Sequence, residues 1–177
     1  MTTMSALSTS RASRADLFEF LDRLGIATST VEHEAVFTVA ESEKLDRLIP
    51  GGHTKNLFLK DAKERLFLVV AQAHTPVELK SLHKTLGAGR FSFGKAELLV
   101  DVLGVSPGAV TALALINDRS KHRVSLVVDQ RLMEYDIINC HPLENTATTS
   151  IGRDDLFRFF RATGHEPRIA DLTATPC

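Results

Sequence analysis

The sequence predicts a mixed α/β domain of the α+β kind, with a mixed, largely antiparallel sheet or partial barrel flanked by helices. Three observations predict it. Two apolar runs of strand length, 56–60 and 66–71, are separated by five residues, four of them charged, a connection that fits a hairpin and is far too short for a helical crossover. Both runs are nearly continuously apolar, as strands covered on both faces are. Between the strand-like runs stand segments with helical spacing and helix-start signals, so helices and strands interleave and a strict βαβαβ nucleotide fold fits less well. At 177 residues the chain has the size of one domain, expected over 13–172 with tails at 1–12 and 173–177.

The elements follow in order. Ser13 and Asp16 form a loose capping box ahead of Leu17, Phe18, Leu21 and Leu24, which recur at helical spacing until Gly25, so the first helix is amphipathic. A strand is expected over 28–34. Thr38-Val39-Ala40-Glu41 is a second capping box and starts a helix that runs to Ile49. Pro50-Gly51-Gly52 then frees the backbone before the hairpin.

Thr75-Pro76-Val77-Glu78 reads as a helix start, with Thr as cap and Pro at the first helical position, and this helix ends at Gly87. A short strand over 90–93 and a helix over 95–103 come next. Residues 110–116 read as a buried strand that turns at Asn117-Asp118 into a returning strand over 123–128. Another short strand, 137–141, is stopped by Pro142. Residues 146–150 are β-prone, 154–162 form the last helix, and 168–170 a final strand.

Composition excludes some functions. The chain carries 21 Lys+Arg against 22 Asp+Glu, and a protein that holds long duplex DNA by phosphate neutralisation needs a basic excess. Cys140 and Cys177 are the only cysteines, in no metal-ligand or redox spacing, which fits a reducing compartment. No run approaches a bilayer span of about 18 apolar residues, and the opening segment lacks an apolar stretch of secretory length. The expected location is the cytoplasm.

Gly-Lys-Ser/Thr, His-Glu-x-x-His and Gly-x-Ser-x-Gly are absent. The histidines at 33, 53, 74, 83, 122 and 165 show no metal-ligand spacing, so neither metal nor cofactor is expected.

What remains as candidate chemistry is the stretch His53-Thr54-Lys55-Asn56, where a glycine loop meets a strand. Lys55 fits equally a strand-edge lysine facing solvent and a cation that holds a ligand, because two glycines allow a phosphate or another backbone to come close. His141, at a strand end before Pro142, fits a packed histidine or a functional one. Its neighbour Cys140 is not its dyad partner, since adjacent strand residues face opposite ways. Gly104-Val105-Ser106-Pro107-Gly108 is either a plain turn or a loop whose N–H groups face a carbonyl or phosphate oxygen.

Taken together, several stretches resemble the YbaK/ProX family. They are Val36-Phe37-Thr38-Val39, the run from Gly51 to Asp61, Gly104 to Gly108 with Asn117-Asp118, and Asn139-Cys140-His141-Pro142-Leu143 with Asn145, Thr148 and Thr149. Within that family they look like the free-standing branch that deacylates Ala-tRNA(Pro), and the similarity covers nearly the whole domain. The resemblance implies a trans-editing hydrolase acting on the acceptor end of a mischarged tRNA, with prolyl-tRNA synthetase a candidate partner.

Carried over, Lys55 is the signature residue near the terminal adenosine, His141 belongs to the substrate pocket, and the loop with Gly104, Ser106 and Gly108 lies beside the scissile ester. His53, Thr54, Asn56 and Asn117 join the substrate-binding set on this reading. Phe37, Val39 and Ile49 are candidates for an apolar wall that admits a methyl group, and core packing explains those three equally well. Deacylation of Cys- or Ser-charged tRNA, or a non-catalytic nucleic-acid or protein binding module of the same fold, are the alternatives.

Overall fold

The computed structural model describes residues 11–36 and 38–173, with Val39 described by its backbone alone. The expectations placed on Phe37, on the Val39 side chain and on most of the two tails therefore lie outside the described residues.

Local signals set most boundaries. Helix α1 (Arg14–Arg23) starts where the Ser13 hydroxyl accepts the Asp16 N–H and the Asp16 carboxylate accepts the Ser13 N–H, and it buries Leu17 and Leu21. Strand β1 (Thr28–Glu32) is followed by α2 (Val39–Leu48), whose first turn is capped by the Thr38 hydroxyl accepting the Glu41 N–H. Then come β2 (Gly52–Lys60), β3 (Leu66–Gln72), α3 (Leu79–Leu86), β4 (Ser92–Phe93) and α4 (Ala96–Leu103). After two 3₁₀ segments, Pro107–Ala109 and Ala112–Asp118, the chain forms β5 (Val124–Asp129), β6 (Ile137–Cys140), β7 (Ala147–Gly152), α5 (Arg153–Ala162) and β8 (Arg168–Ala170).

The eight strands make one mixed sheet in the order β1-β7-β6-β2-β3-β5-β8, with β4 added to β2. β1/β7, β6/β7, β2/β3 and β2/β4 are antiparallel; β2/β6, β3/β5 and β5/β8 are parallel. β1 and β8 are its edges, so the sheet is open. Alternation along the central hairpin sends Phe58, Leu66, Leu68 and Val70 into one core, with α1, α4 and α5, and Leu59, Phe67, Val69 and Ala71 into a second core under α3. Both faces are thus covered, as the continuous apolar runs demand. Each fully buried leucine here contributes about 2 kcal/mol relative to leaving it exposed.

Two readings of the sequence are corrected. Residues 110–116 are no strand: Thr111 caps a 3₁₀ segment by accepting the Leu113 N–H at 3.3 Å, and Ala112 to Ile116 are all buried. A run apolar on every side carries no periodicity by which strand and helix differ. The expected hairpin partner of 123–128 therefore does not exist, and β5 lies parallel to β3 instead. The helix expected to be capped by Thr75 starts three residues later, at Leu79 with Glu78 in the cap position. Thr75 is fully buried and gives its hydroxyl to Asp129 Oδ2 at 2.6 Å, a tertiary bond that replaces the capping bond.

The turn into β2 depends on its glycines. Gly51 has φ +112°, and a Cβ there would stand 2.8 Å from the Ile137 carbonyl oxygen, while one on Gly52 would meet the Tyr135 ring at 2.8 Å. Gly51→Ala should therefore cost about 1–3 kcal/mol, which lowers the melting midpoint by roughly 2–4 °C for each kcal/mol at this size. A thermal melt that shows no loss would refute the close approach of β2 and β6.

Candidate functional site

A cleft of about 340 Å³ opens where β2 leaves that turn. Its floor is His53, Thr54 and Ala73, its far wall Asn139, Cys140, His141 and Thr148, and its near wall Val36 and the inner face of α2. The α2 residues involved, Thr38, Ser42, Leu45 and Asp46, are spaced to fall on one side of a helix. Helix, loop and the ends of interior strands thus border one small hollow whose lining is polar and apolar in about equal parts.

Asn139 holds the cleft in shape. Buried in β6, it donates its amide to the Pro50 carbonyl at 3.0 Å and accepts the Ser150 hydroxyl, and its own carbonyl accepts the Thr54 hydroxyl at 2.7 Å. His53 stands across from α2, its Nε2–H donating to the Ile49 carbonyl at 2.7 Å and its Nδ1 lying 3.0 Å from Asp46 Oδ1.

His141 donates its Nδ1–H to the Ala147 carbonyl at 2.9 Å, because a carbonyl can only accept. That fixes the tautomer and leaves the Nε2 lone pair. Burial pushes the His141 imidazolium below its usual range and the neighbouring His33 acts in the same direction, against the opposing hydrogen bond to Ala147. The ring is therefore neutral near pH 7. His33 is itself pinned, with Nδ1–H donating to the Glu34 carbonyl at 2.7 Å and Nε2 accepting the Thr148 hydroxyl at 2.9 Å.

The remaining predicted residues are placed as follows. Lys55 is half-buried on the strand face that carries His53, two residues along, or about 7 Å. It makes no hydrogen bond or ion pair among the described residues. Asn56 faces the opposite way, and its Oδ1 is buried without a donor, a state that costs about 1–3 kcal/mol unless a partner arrives. Beside both residues β2 has a gap: β6 pairs with it only at Gly52 and His53, and β4 only at Leu59 and Lys60.

Ile49 is 4% exposed and lies in the turn, outside the cleft lining. Gly104 ends α4 with φ +68° and gives its N–H to the Val100 carbonyl. Asn117 packs against it, donating to the Leu103 carbonyl at 2.9 Å and accepting the Ala12 N–H at 2.8 Å. Gly104 and Asn117 border a different hollow, with Arg11 and Lys121. Ser106 is exposed, and a Cβ added to Gly108 would come to 3.4 Å from the Asn145 amide nitrogen. The loop's closest tie to the cleft is Thr111, whose hydroxyl donates to the His141 carbonyl at 2.7 Å.

Sequence reasoning missed Ser42, Leu45, Asp46, Ala73 and Asn139. For the three on α2 a signal existed, since their spacing marks one face of a helix that runs straight into the glycine turn. Cys140, dismissed as a nucleophile from its strand position, lines the cleft with its thiol pushed up to about 12 by burial, so it stays protonated. Among the described residues no three His, Cys, Asp or Glu side chains stand together as a metal site, and no helix is long and apolar enough to cross a membrane.

This fold is a mixed α/β domain with a small cleft at the start of β2. The chain belongs to the aminoacyl-tRNA editing domain family, whose profile matches residues 33–159. It is 42% identical over 158 residues to the prolyl-tRNA synthetase associated domain-containing protein 1 of Danio rerio, covering 88% of this chain and 85% of that protein. To the prolyl-tRNA editing protein ProX of Acetoanaerobium sticklandii it is 34% identical over 153 residues, 86% of this chain and 93% of that one.

Two solved structures share the fold. One is hypothetical protein APE2540 (TM-score 0.67, 19% identity, 89% of this chain and 99% of that one). The other is a candidate trans-editing enzyme for prolyl tRNA synthetase (TM-score 0.67, 17% identity, 92% and 98%).

The His141 environment has a measurable sign. Its folded pKa lies below the unfolded value of about 6.5, so the unfolded chain takes up the proton first and stability falls as pH drops below that value. In an NMR titration the His141 ring should titrate below about pH 6.5. The melting midpoint of His141→Gln should fall less than that of the wild type between pH 7 and 5.5. A ring that titrates at or above 6.5 would remove the neutral imidazole from the site.

Proposed function

We propose that the protein is a trans-editing hydrolase that clears alanine from tRNA(Pro), by attack of water on the aminoacyl ester. Membership of the editing family and the names of its relatives support a prolyl-tRNA editing role. The observation that carries the reading to chemistry is the small cleft with Lys55, half-buried and without a partner among the described residues, beside its floor. The substrate would be a product of size discrimination, since alanine is smaller than proline and a synthetic pocket cannot reject it strongly.

On this reading Lys55 grips a phosphate or the ribose at the 3′ end, and the polar atoms of the cleft orient the aminoacyl group. An aminoacyl ester is already activated, so positioning a water and stabilising the developing oxyanion suffice without a side-chain nucleophile. The water oxygen bonds to the ester carbon, the bond to the ribose 3′ oxygen breaks, and the water's proton ends on that oxygen. The neutral His141 Nε2 is an acceptor suited to orient the attacking water or the vicinal ribose hydroxyl, which can itself relay the proton. Asn56 Oδ1 would take its missing donor from the substrate.

The resemblance puts the loop from Gly104 to Gly108 beside the ester, but Gly104 borders a different hollow and gives its N–H to the Val100 carbonyl, so it does not serve as an oxyanion donor on this reading. Charged tRNA and prolyl-tRNA synthetase are the partners on this reading, and the translation machinery of the cytoplasm its place.

Lys55→Ala should lower kcat/KM for Ala-tRNA(Pro) by at least about a hundredfold, the loss expected of a group that positions the reacting ester, with the melting midpoint nearly unchanged. Parallel assays on Ala-, Cys- and Ser-charged tRNA(Pro) should show alanine released fastest. Undiminished turnover by the variant, or no hydrolysis of any charged tRNA by the wild type, would overturn the assignment.

A further inference from the structure

Among the residues that line the cleft, Asp46 is the only carboxylate. One of its oxygens is engaged: Oδ1 lies 3.0 Å from His53 Nδ1. The other has no hydrogen bond or ion pair among the described residues, and the side chain as a whole is 20% exposed. A half-enclosed carboxylate with one oxygen pinned and the other free has a fixed position and an open valence for a cation. His53 stands two residues before Lys55 on the same strand face, so a negative charge lines the hollow and a positive one stands outside the lining, farther along β2.

We infer that Asp46 binds the α-ammonium group of the aminoacyl substrate. The inference rests on the editing reading above and adds the group that recognises the amino acid's own charge. An aminoacyl ester at the end of a tRNA has an anionic phosphate chain on one side of the ester and a cationic amine on the other. Lys55 repels that amine and attracts the phosphates; Asp46 does the reverse. The two charges therefore set the direction in which the substrate enters, with the ester carbon held between them. The second oxygen is left available because His53 faces the first.

Neighbouring residues fit this role. Ser42, one turn before Asp46, and Thr38, a further turn back, place hydroxyls along the same wall, where an ammonium with three donors can be satisfied. Asp46 is thus a substrate-positioning residue, and the water chemistry belongs to other groups.

The test compares Ala-tRNA(Pro) with lactyl-tRNA(Pro), in which a hydroxyl replaces the ammonium at almost the same size, each rate divided by its uncatalysed hydrolysis. The wild type should prefer the alanyl ester by about tenfold or more in kcat/KM, the scale of a charge-assisted hydrogen bond in a partly enclosed site. Asp46→Asn, which keeps the shape and removes the charge, should bring the preference to within about threefold of unity, by losing rate on the alanyl ester and not on the lactyl one. Equal losses on both esters, or an unchanged preference, would overturn the inference while leaving the hydrolase reading intact.

Should Asp46→Asn fail to fold, the wild type still decides: no preference for the ammonium-bearing ester excludes the contact. Failure of the wild type to hydrolyse either ester would instead count against the hydrolase reading and the inference together.

Discussion

The amide of Asn139 is the interaction on which the site's geometry depends. It holds the Pro50 carbonyl, reaches the Gly52 carbonyl at 3.4 Å and takes the Ser150 hydroxyl, so one buried side chain joins the glycine turn, β6 and β7. Its backbone carbonyl fixes Thr54 on the floor of the cleft. A buried amide with this many partners is costly to disturb, because removing it strands several polar groups away from water. The glycines at 51 and 52 are the other half of the arrangement. They let β2 come close enough to β6 and Tyr135 for the amide to reach.

A second polar anchor sets the opposite side of the floor. Asp129, buried at the end of β5, accepts the Gln72 N–H and the Thr75 hydroxyl on Oδ2 and the Arg131 N–H on Oδ1. This holds the end of β3 where Ala73 meets the cleft, with the Ala73 N–H given to the His53 carbonyl at 2.8 Å. The floor is rigid from both flanks. The wall formed by α2 is different in kind, since none of its described side chains is fully buried and its inner face is the cleft lining itself. A rigid floor with a less deeply packed wall lets a ligand be held by fixed polar groups while the wall adapts to what it carries.

How much of this was legible in the sequence depends on how local the signal is. Capping residues act over three or four positions, so Ser13 and Thr38 marked their helices correctly, and Gly87 marked the end of α3. The turn at 51–52 and the hairpin after it were readable for the same reason. What the sequence hid are the long-range choices: that β5 joins β3 in parallel, that Thr75 serves Asp129 before it serves a helix, and that 112–118 coil as a 3₁₀ segment. Each is decided by a partner more than forty residues away or by burial on all sides, which leaves no periodic trace. The same limit applies to the cleft. The stretch from His53 to Asn56 was visible as chemistry beside a glycine turn, but the residues that enclose it come from α2, β3 and β6, and only the fold brings them together.

The chemistry of the cleft follows from what its titratable groups are not. The thiol in the cleft lining, Cys140, is held protonated by burial, which removes it as a nucleophile. A cationic acid is missing at His141 because the same burial, with His33 beside it, keeps that ring neutral. What is left is a neutral acceptor, the Asp46 carboxylate, a lysine with no partner among the described residues and an open stretch of β2 backbone between its two partial neighbours. On the proposed reading this set orients a water against an ester that is already activated, with little reorganisation because the sheet has fixed the acceptor beforehand. The gap in the ladder matters here as well. A strand with unpaired backbone on one side offers N–H and C=O groups to whatever lies along it, and on the proposed reading a chain of nucleotides beside Lys55 meets both a cation and that hydrogen-bonding edge.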